Sequence, residues 1–295
     1  MMRALLFVFV VAAALAAVLG WGPVLAQDYG DTPYVQTPQV VVDKMLEIAK
    51  VSGKDYLIDL GSGDGRLIIT AAKKYGARGF GVDLDKKLVL LSNRNAAKAG
   101  VASRAVFYER DLHEIDLTQA DVITTYLLPE VNLMVRPRLL ALKPGTRIVS
   151  HDYGMGEWPP DVALEMDAPG KPVGRDQKSK VLFWTVPTQV AGKWVWQGSA
   201  GLVELELDQV FQKLTGTLVI GGRRATIEKA TLSGEQIGFE ASLGQDERLV
   251  FSGKVIHNAI EGEMRVAGAP QKWNATRTEL RDPRFTDLNP GVTAR

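Results

Sequence analysis

No cysteine occurs in the 295 residues. This excludes disulfides, thiolate metal sites and a cysteine nucleophile, and it leaves the redox compartment open. Histidine is almost as scarce. His113, His151 and His257 are the whole supply, too few for a multi-histidine centre, so no metal is expected. An excess of one charge is also missing: 35 Lys and Arg stand against 34 Asp and Glu, a net charge of +1. Without a basic block, a nucleic-acid partner held through its phosphates is not expected. No repeat of solenoid length is present. What remains is a chain with 46% hydrophobic and 23% charged residues, able to bury a sizeable core and long enough for two domains.

The first 26 residues are of a different kind. Arg3 precedes a strongly apolar stretch from Ala4 to Gly20, and Val24-Leu25-Ala26 ends it before Gln27. Residues 1–26 therefore read as a secretory signal or, failing cleavage, a membrane anchor. Arg3 favours a cytoplasmic N-terminus, so the remainder is expected to be exported or held at the membrane. Thr37-Pro38 then reads as an N-cap followed by Pro at the first helical position. The arm before it, from Pro33 to Pro38, is placed to fold over the turn described next.

That turn is Asp59-Leu60-Gly61-Ser62-Gly63-Asp64-Gly65. An apolar run, Tyr56-Leu57-Ile58, precedes it and an amphipathic one follows, which is the order strand, glycine turn, helix. Such a turn lets a ligand approach bare backbone and aims helix N-terminal N–H groups at it. A second run, 79–83, ends in Asp83, at about the interval where a carboxylate accepts from ribose hydroxyls. A third, 105–109, leads to Asp111-Leu112. Acids at strand ends also serve as turn caps, and Asp85 reads as the N-cap of the next helix. Strands are expected at 56–60, 79–83, 105–109, 121–126, 146–150 and 180–186, with another near 163–166. Helices are expected at 65–75, 85–99 and 130–142, the last broken by Pro137. The alternation predicts an α/β, doubly wound, mainly parallel sheet over residues 34–188. Residues 192–280 change to short strands at about ten-residue spacing, the pattern of a small antiparallel β domain, sandwich or barrel. Its Trp194, Trp196, Phe211 and Trp273 are expected in a core. Residues 281–295 read as a loose tail.

The turn and its three acids resemble the donor-binding motifs of class I S-adenosylmethionine (AdoMet) methyltransferases. Within that class, three segments resemble a group of protein-lysine methyltransferases whose eukaryotic members are mitochondrial and modify membrane proteins. The segments are Asp59–Arg66, Thr124-Thr125-Tyr126-Leu127-Leu128-Pro129-Glu130 and Val149-Ser150-His151-Asp152-Tyr153. The export-like N-terminus and the C-terminal β region depart from that group. The resemblance implies AdoMet as cofactor, held by Asp59, Gly61, Ser62, Gly63, Asp64, Gly65, Asp83, Leu84, Asp111 and Leu112; with the arm folded over the turn, Tyr34 and Thr37 would touch its methionine end, the alternative for Tyr34 being to pack the arm down. Asp59 would complement the methionine ammonium, Asp83 the ribose and Asp111 the adenine.

Methyl transfer is an in-line displacement in which alignment and exclusion of water supply much of the acceleration. A lysine acceptor must first lose a proton, since its unperturbed pKa is about 10.4. Tyr126, Glu130 and His151 are the candidates for lining the acceptor channel and taking that proton, with Asp152 a further choice for it. The expected acceptor is a protein, a membrane protein among the candidates, or else a small molecule. An exported nucleoside-binding module without transfer is the alternative from another class.

Overall fold

The computed structural model describes residues 34–244, 247–266 and 268–283. The expected signal or anchor, 1–26, and most of the expected tail lie outside the described residues. Tyr34 is grouped with the N-terminal unit, while Val35 opens a second compact unit. Among the described residues no helix is long and apolar enough to cross a membrane.

The first half is a seven-stranded sheet. β1 (Tyr56–Leu60), β2 (Arg78–Asp83), β3 (Ala105–Glu109), β4 (Val122–Thr125), β5 (Arg147–His151), β6 (Val162–Asp167) and β7 (Lys178–Thr185) lie in the order 3-2-1-4-5-7-6. All neighbours are parallel except those of β7, which is antiparallel to both β5 and β6. β6 consequently runs with the parallel strands. Six carboxyl ends share one edge, and the strand order reverses between β1 and β4, which is where open α/β sheets bind ligands.

The apolar residues of β1 alternate between two cores. Leu57 faces one built with α1 (Gln39–Ile48), α2 (Arg66–Thr70, continued by a wider turn at Ala71–Tyr75) and α3 (Lys86–Lys98). Ile58 and Leu60 face the other, where α4 (Pro129–Leu140) is the one helix among the described residues. Connections fill the rest of that face: Ile115 and Leu117 after β3, Met155 and Trp158 after β5. α4 has no clean apolar stripe, because Asn132 and Arg136 are buried too. Asn132 donates to the carbonyls of Tyr153 and Gly154, and Arg136 to that of Met155. Contrary to expectation, Pro137 does not break α4. It sits in the last turn, where Arg138 ties the helix to the carbonyls of Leu112 and Ile115. α1 also differs: Pro38, not Thr37, occupies its N-cap position, and no side chain caps it.

The second half is a closed, wholly antiparallel barrel of eight strands: β8 (Gly192–Gly198), β9 (Gly201–Val210), β10 (Lys213–Ile220), β11 (Arg223–Ser233), β12 (Gln236–Ser242), β13 (Arg248–Ile256), β14 (Ala259–Val266) and β15 (Ala269–Leu280). Period-two alternation fills it. Val203, Leu205 and Leu207 of β9 point inward, and Glu204 and Asp208 outward. Trp194, Trp196, Phe239, Phe251 and Trp273 pack its interior. Phe211 does not. It leaves the barrel at the β9–β10 turn in a left-handed conformation (φ 55°) and stacks on Trp158, ring centroids 6.2 Å apart and 13° from parallel. Gln212 beside it accepts from the Trp158 indole (3.1 Å) and donates to the Pro159 carbonyl (2.6 Å) and Asp161 (2.9 Å). The barrel thereby completes the sheet's second core.

Candidate active site

The glycine turn follows β1 as expected. Gly61 and Ser62 both donate to the Val82 carbonyl, Gly63 donates to Asp83 Oδ2 (2.9 Å), and Gly65 donates to the Ser62 carbonyl. These amide bonds shape the turn. The carbonyls of Gly61 and Gly63 accept none of these bonds. Gly61 and Gly65 have φ of 75° and 83°, a region that side chains disfavour. A Cβ on Gly61 would also meet the Leu127 side chain at 2.8 Å, and one on Gly65 the Phe107 ring at 2.6 Å. Glycine is required at both places for packing within the protein. The Ser62 side chain turns into the sheet against Gly81, and its buried hydroxyl has no partner. Only the backbone of Ser62 is therefore left for the donor role expected of it.

Three acids frame this turn. Asp59 is 2% exposed and accepts from Thr124 Oγ1 of β4. Burial pushes its carboxyl up to about 7. The Thr124 bond opposes the rise, and the carboxylates of Asp83 and Asp64 add to it. A buried acid among acids suits a cation. Asp83, at the end of β2, is half-buried. Its second oxygen accepts from the Asp85 amide (2.9 Å), and Asp85 in turn caps α3 through Lys87 N. Asp64 pairs with Arg66, whose guanidinium also donates to the Thr37 carbonyl at 2.7 Å. Arg66 therefore fastens the start of α1 to the glycine turn. Sequence reasoning missed that role, since Arg66 reads only as the first polar residue of a helix.

Beyond β2 and β3 lies an open depression of about 390 Å³ lined by Leu84, Glu109, Arg110, Asp111 and Glu114. Leu84 is 72% exposed at its edge. Asp111 accepts from the His113 amide (2.8 Å), which fixes its carboxylate in a tight turn. The Leu112 carbonyl is already held by Arg138. Leu84 and Asp111 thus share one hollow, next to the Asp83 end of the glycine turn.

A second cluster stands at the carboxyl ends of β4 and β5. The rings of Tyr126 and His151 lie 4.0 Å apart, and Tyr153 stacks on Tyr126 at 6.2 Å. His151 is fully buried. Its Nδ1 lies 3.1 Å from Thr37 Oγ1 and its Nε2 2.8 Å from Ser179 Oγ. Burial lowers its pKa to about 4, with Asp152 opposing the fall and Lys171 adding to it. A neutral imidazole with both nitrogens engaged is a weak base, so the expectation that His151 takes the acceptor's proton does not fit. The ring instead supports Tyr126. The Thr37 hydroxyl is the partner of one ring nitrogen. Burial, then Asp152, raises the Tyr126 hydroxyl above its ordinary value, so it remains a neutral phenol. Glu130 is exposed in the first turn of α4, and none of the cluster's bonds includes it. Tyr34 is exposed as well. Among the described residues no group of three or more His, Asp or Glu is arranged around a metal position.

A parallel sheet reversing at a glycine turn, with acids at successive strand ends, is the donor half of a class I AdoMet-dependent methyltransferase. The ANTKMT methyltransferase domain family matches residues 59–162. A protein-lysine N-methyltransferase of Saccharolobus islandicus is 44% identical over 137 residues, covering 46% of this chain and 85% of the relative. The mouse adenine nucleotide translocase lysine N-methyltransferase is 32% identical, over 43% of this chain and 56% of the relative. A solved structure described as an RNA methyltransferase from Salinibacter ruber, with S-adenosylhomocysteine, is similar at 47% identity and a TM-score of 0.48, covering 53% of this chain and 96% of that one. The chain belongs to the methyltransferase family of the Saccharolobus enzyme, and its cofactor is AdoMet. It spans just over half the length of the mouse relative, and none of these alignments takes in more than about half of it.

The residues present fit that cofactor. The buried Asp59 and the glycine carbonyls of the turn that follows it suit an ammonium, Asp83 suits vicinal hydroxyls, and the Leu84–Asp111 hollow suits a flat base with an amino group.

Proposed function

We propose that the chain transfers a methyl group from AdoMet to a lysine side chain of a protein. The observation that carries this reading is the cluster of Tyr126, Tyr153 and Asp152 beside the donor turn. Two aromatic faces and a carboxylate suit a long apolar stem ending in an ammonium. The relatives' names support the acceptor class. When bound, AdoMet supplies an activated methyl on a sulfonium.

The protein's own residues do the rest. Leu127 packs on Gly61 and sets the distance between donor turn and acceptor channel. The Tyr126 ring walls the channel and lowers the amine's pKa by excluding water. The Tyr126 hydroxyl, 3.5 Å from Asp152 Oδ2, accepts from the amine and directs its lone pair. Asp152 draws in the ammonium and passes its proton to solvent. An integral membrane protein as acceptor, and a mature domain exported or anchored by residues 1–26, are the finer parts of this proposal.

The test is incubation of purified protein and isotope-labelled AdoMet with soluble and membrane protein fractions, followed by analysis of the methylated amino acids. Methyl-lysine is expected, and label confined to small molecules would refute the reading. Protease protection in intact cells tests the location. Degradation of the mature domain by external protease, once the outer envelope is permeabilised, is the expected result.

A further inference from the structure

Asp152 has an occupant. Lys171 Nζ lies 2.7 Å from Asp152 Oδ2, the same oxygen that the Tyr126 hydroxyl approaches at 3.5 Å and His151 Nε2 at 3.5 Å. The Lys171 side chain is only 9% exposed. An ordinary surface lysine keeps its ammonium in water, and a nearly buried one is unusual.

Topology brings it there. β6 runs with β5, so the β6–β7 connection lies at the edge that carries the donor turn and Tyr126. That connection is folded back on itself. Ala168 N donates to the Gln177 carbonyl (2.6 Å), Gly170 N to Gln177 Oε1 (2.7 Å), and Lys171 N to the Ala168 carbonyl (3.1 Å). Asp152 is held on its side by a left-handed backbone (φ 61°) and by Lys180 N donating to its other oxygen at 3.0 Å. A non-glycine residue held at positive φ marks a place where the surroundings impose the conformation. Here it aims one carboxylate oxygen at the Tyr126 hydroxyl.

We infer that Asp152 Oδ2 is the binding point for the acceptor lysine's ammonium, and that Lys171 rests in that place as an internal stand-in which the incoming lysine displaces. This rests on the protein-lysine reading above. Lys171 matches an acceptor lysine in stem and charge, and it arrives from the chain's own loop at the open edge of the sheet. Its second bond, to the Lys178 carbonyl at 2.6 Å, ends on the first residue of β7 and also breaks when the loop swings out. An occupied site lowers apparent affinity by the fraction of molecules in which it is closed.

The test uses the full chain with AdoMet and poly-L-lysine as acceptor. Lys171→Met keeps the stem and removes the cation. It is expected to lower the KM for poly-L-lysine by roughly five- to tenfold at nearly unchanged kcat. Lys171→Arg keeps the cation and is expected to leave KM at or above the wild-type value. An unchanged or raised KM in a folded Lys171→Met protein would overturn the inference and make Lys171 a loop tether. A second measurement covers failure of that variant to fold: a structure of the wild-type chain with S-adenosylhomocysteine and trilysine. A trilysine ammonium on Asp152 with Lys171 moved away supports the inference, and a bound trilysine with Lys171 still on Asp152 overturns it. No methyl transfer from wild-type protein to any lysine would instead remove the protein-lysine reading itself.

Discussion

Lowering the pH from about 8 to about 6 carries Asp59 across its titration, because burial holds its carboxyl at about 7 in the donor-free protein. The donor's ammonium interacts with the ionised form. Below the pKa the carboxyl must lose its proton before it can complement that cation, so each unit of pH below about 7 weakens binding roughly tenfold, about 1.4 kcal/mol. Above about 8 the affinity levels off. Stability has the opposite sign. The native pKa lies above the unfolded value of 3.8, so this group's contribution is present below that value and is lost as pH rises through about 7. Donor binding supplies the missing cation, and its thermal stabilisation therefore grows with pH over the same window. The assay is calorimetric titration with S-adenosylhomocysteine between about pH 5.5 and 8.5 in buffers of differing ionisation heat, which counts released protons directly. A proton is expected to leave on binding at about pH 6, and Asp59→Asn is expected to abolish both its release and the pH dependence. An affinity flat across this range in the wild-type protein, with no proton released, would refute the placement of a buried, half-ionised carboxyl at the ammonium.

Other perturbations follow from the same geometry. Phe211→Ala removes the ring that joins barrel to sheet and is expected to cost about 3–5 kcal/mol in chemical denaturation, whereas exposed Leu202→Ala changes stability by less than about 0.5 kcal/mol. Gly65→Ala places a Cβ 2.6 Å from the Phe107 ring at φ 83°, and a loss above about 2 kcal/mol is expected in the same assay. Arg66→Gln breaks the link between Asp64 and the Thr37 carbonyl. It is expected to cost about 1–3 kcal/mol of stability and to weaken donor binding, measured by denaturation and titration.

The sheet was legible because its cues are local. Short apolar runs end in Asp59, Asp83 and Glu109-Arg110-Asp111, and a glycine turn follows the first and a helix cap the second. The barrel was legible as antiparallel β by its alternation, though closure was not, since β8 and β15 meet across some eighty residues. What could not be read were partnerships set by the fold alone. Thr37 finds His151 at 114 residues' separation. A threonine before proline carries the same local signal whether it caps a helix or bonds an imidazole. Phe211 reads as core, and it is core, but of the other domain. Lys171 lies in a Pro- and Gly-rich segment that looks like solvated loop, and only the parallel run of β6 brings it to Asp152. The bonding of the turn's amides was out of reach for a related reason. A sequence shows that glycines permit a turn, not which carbonyl or carboxylate will accept its N–H groups.

A crystal structure of the chain with S-adenosylhomocysteine tests the central claim most directly. The account predicts both ribose hydroxyls on the Asp83 carboxylate, the amino-acid nitrogen against Asp59 and the Gly61 and Gly63 carbonyls, and the adenine in the hollow between Leu84 and Asp111. A ligand bound away from the glycine turn, or one whose ribose turns from Asp83, would contradict it.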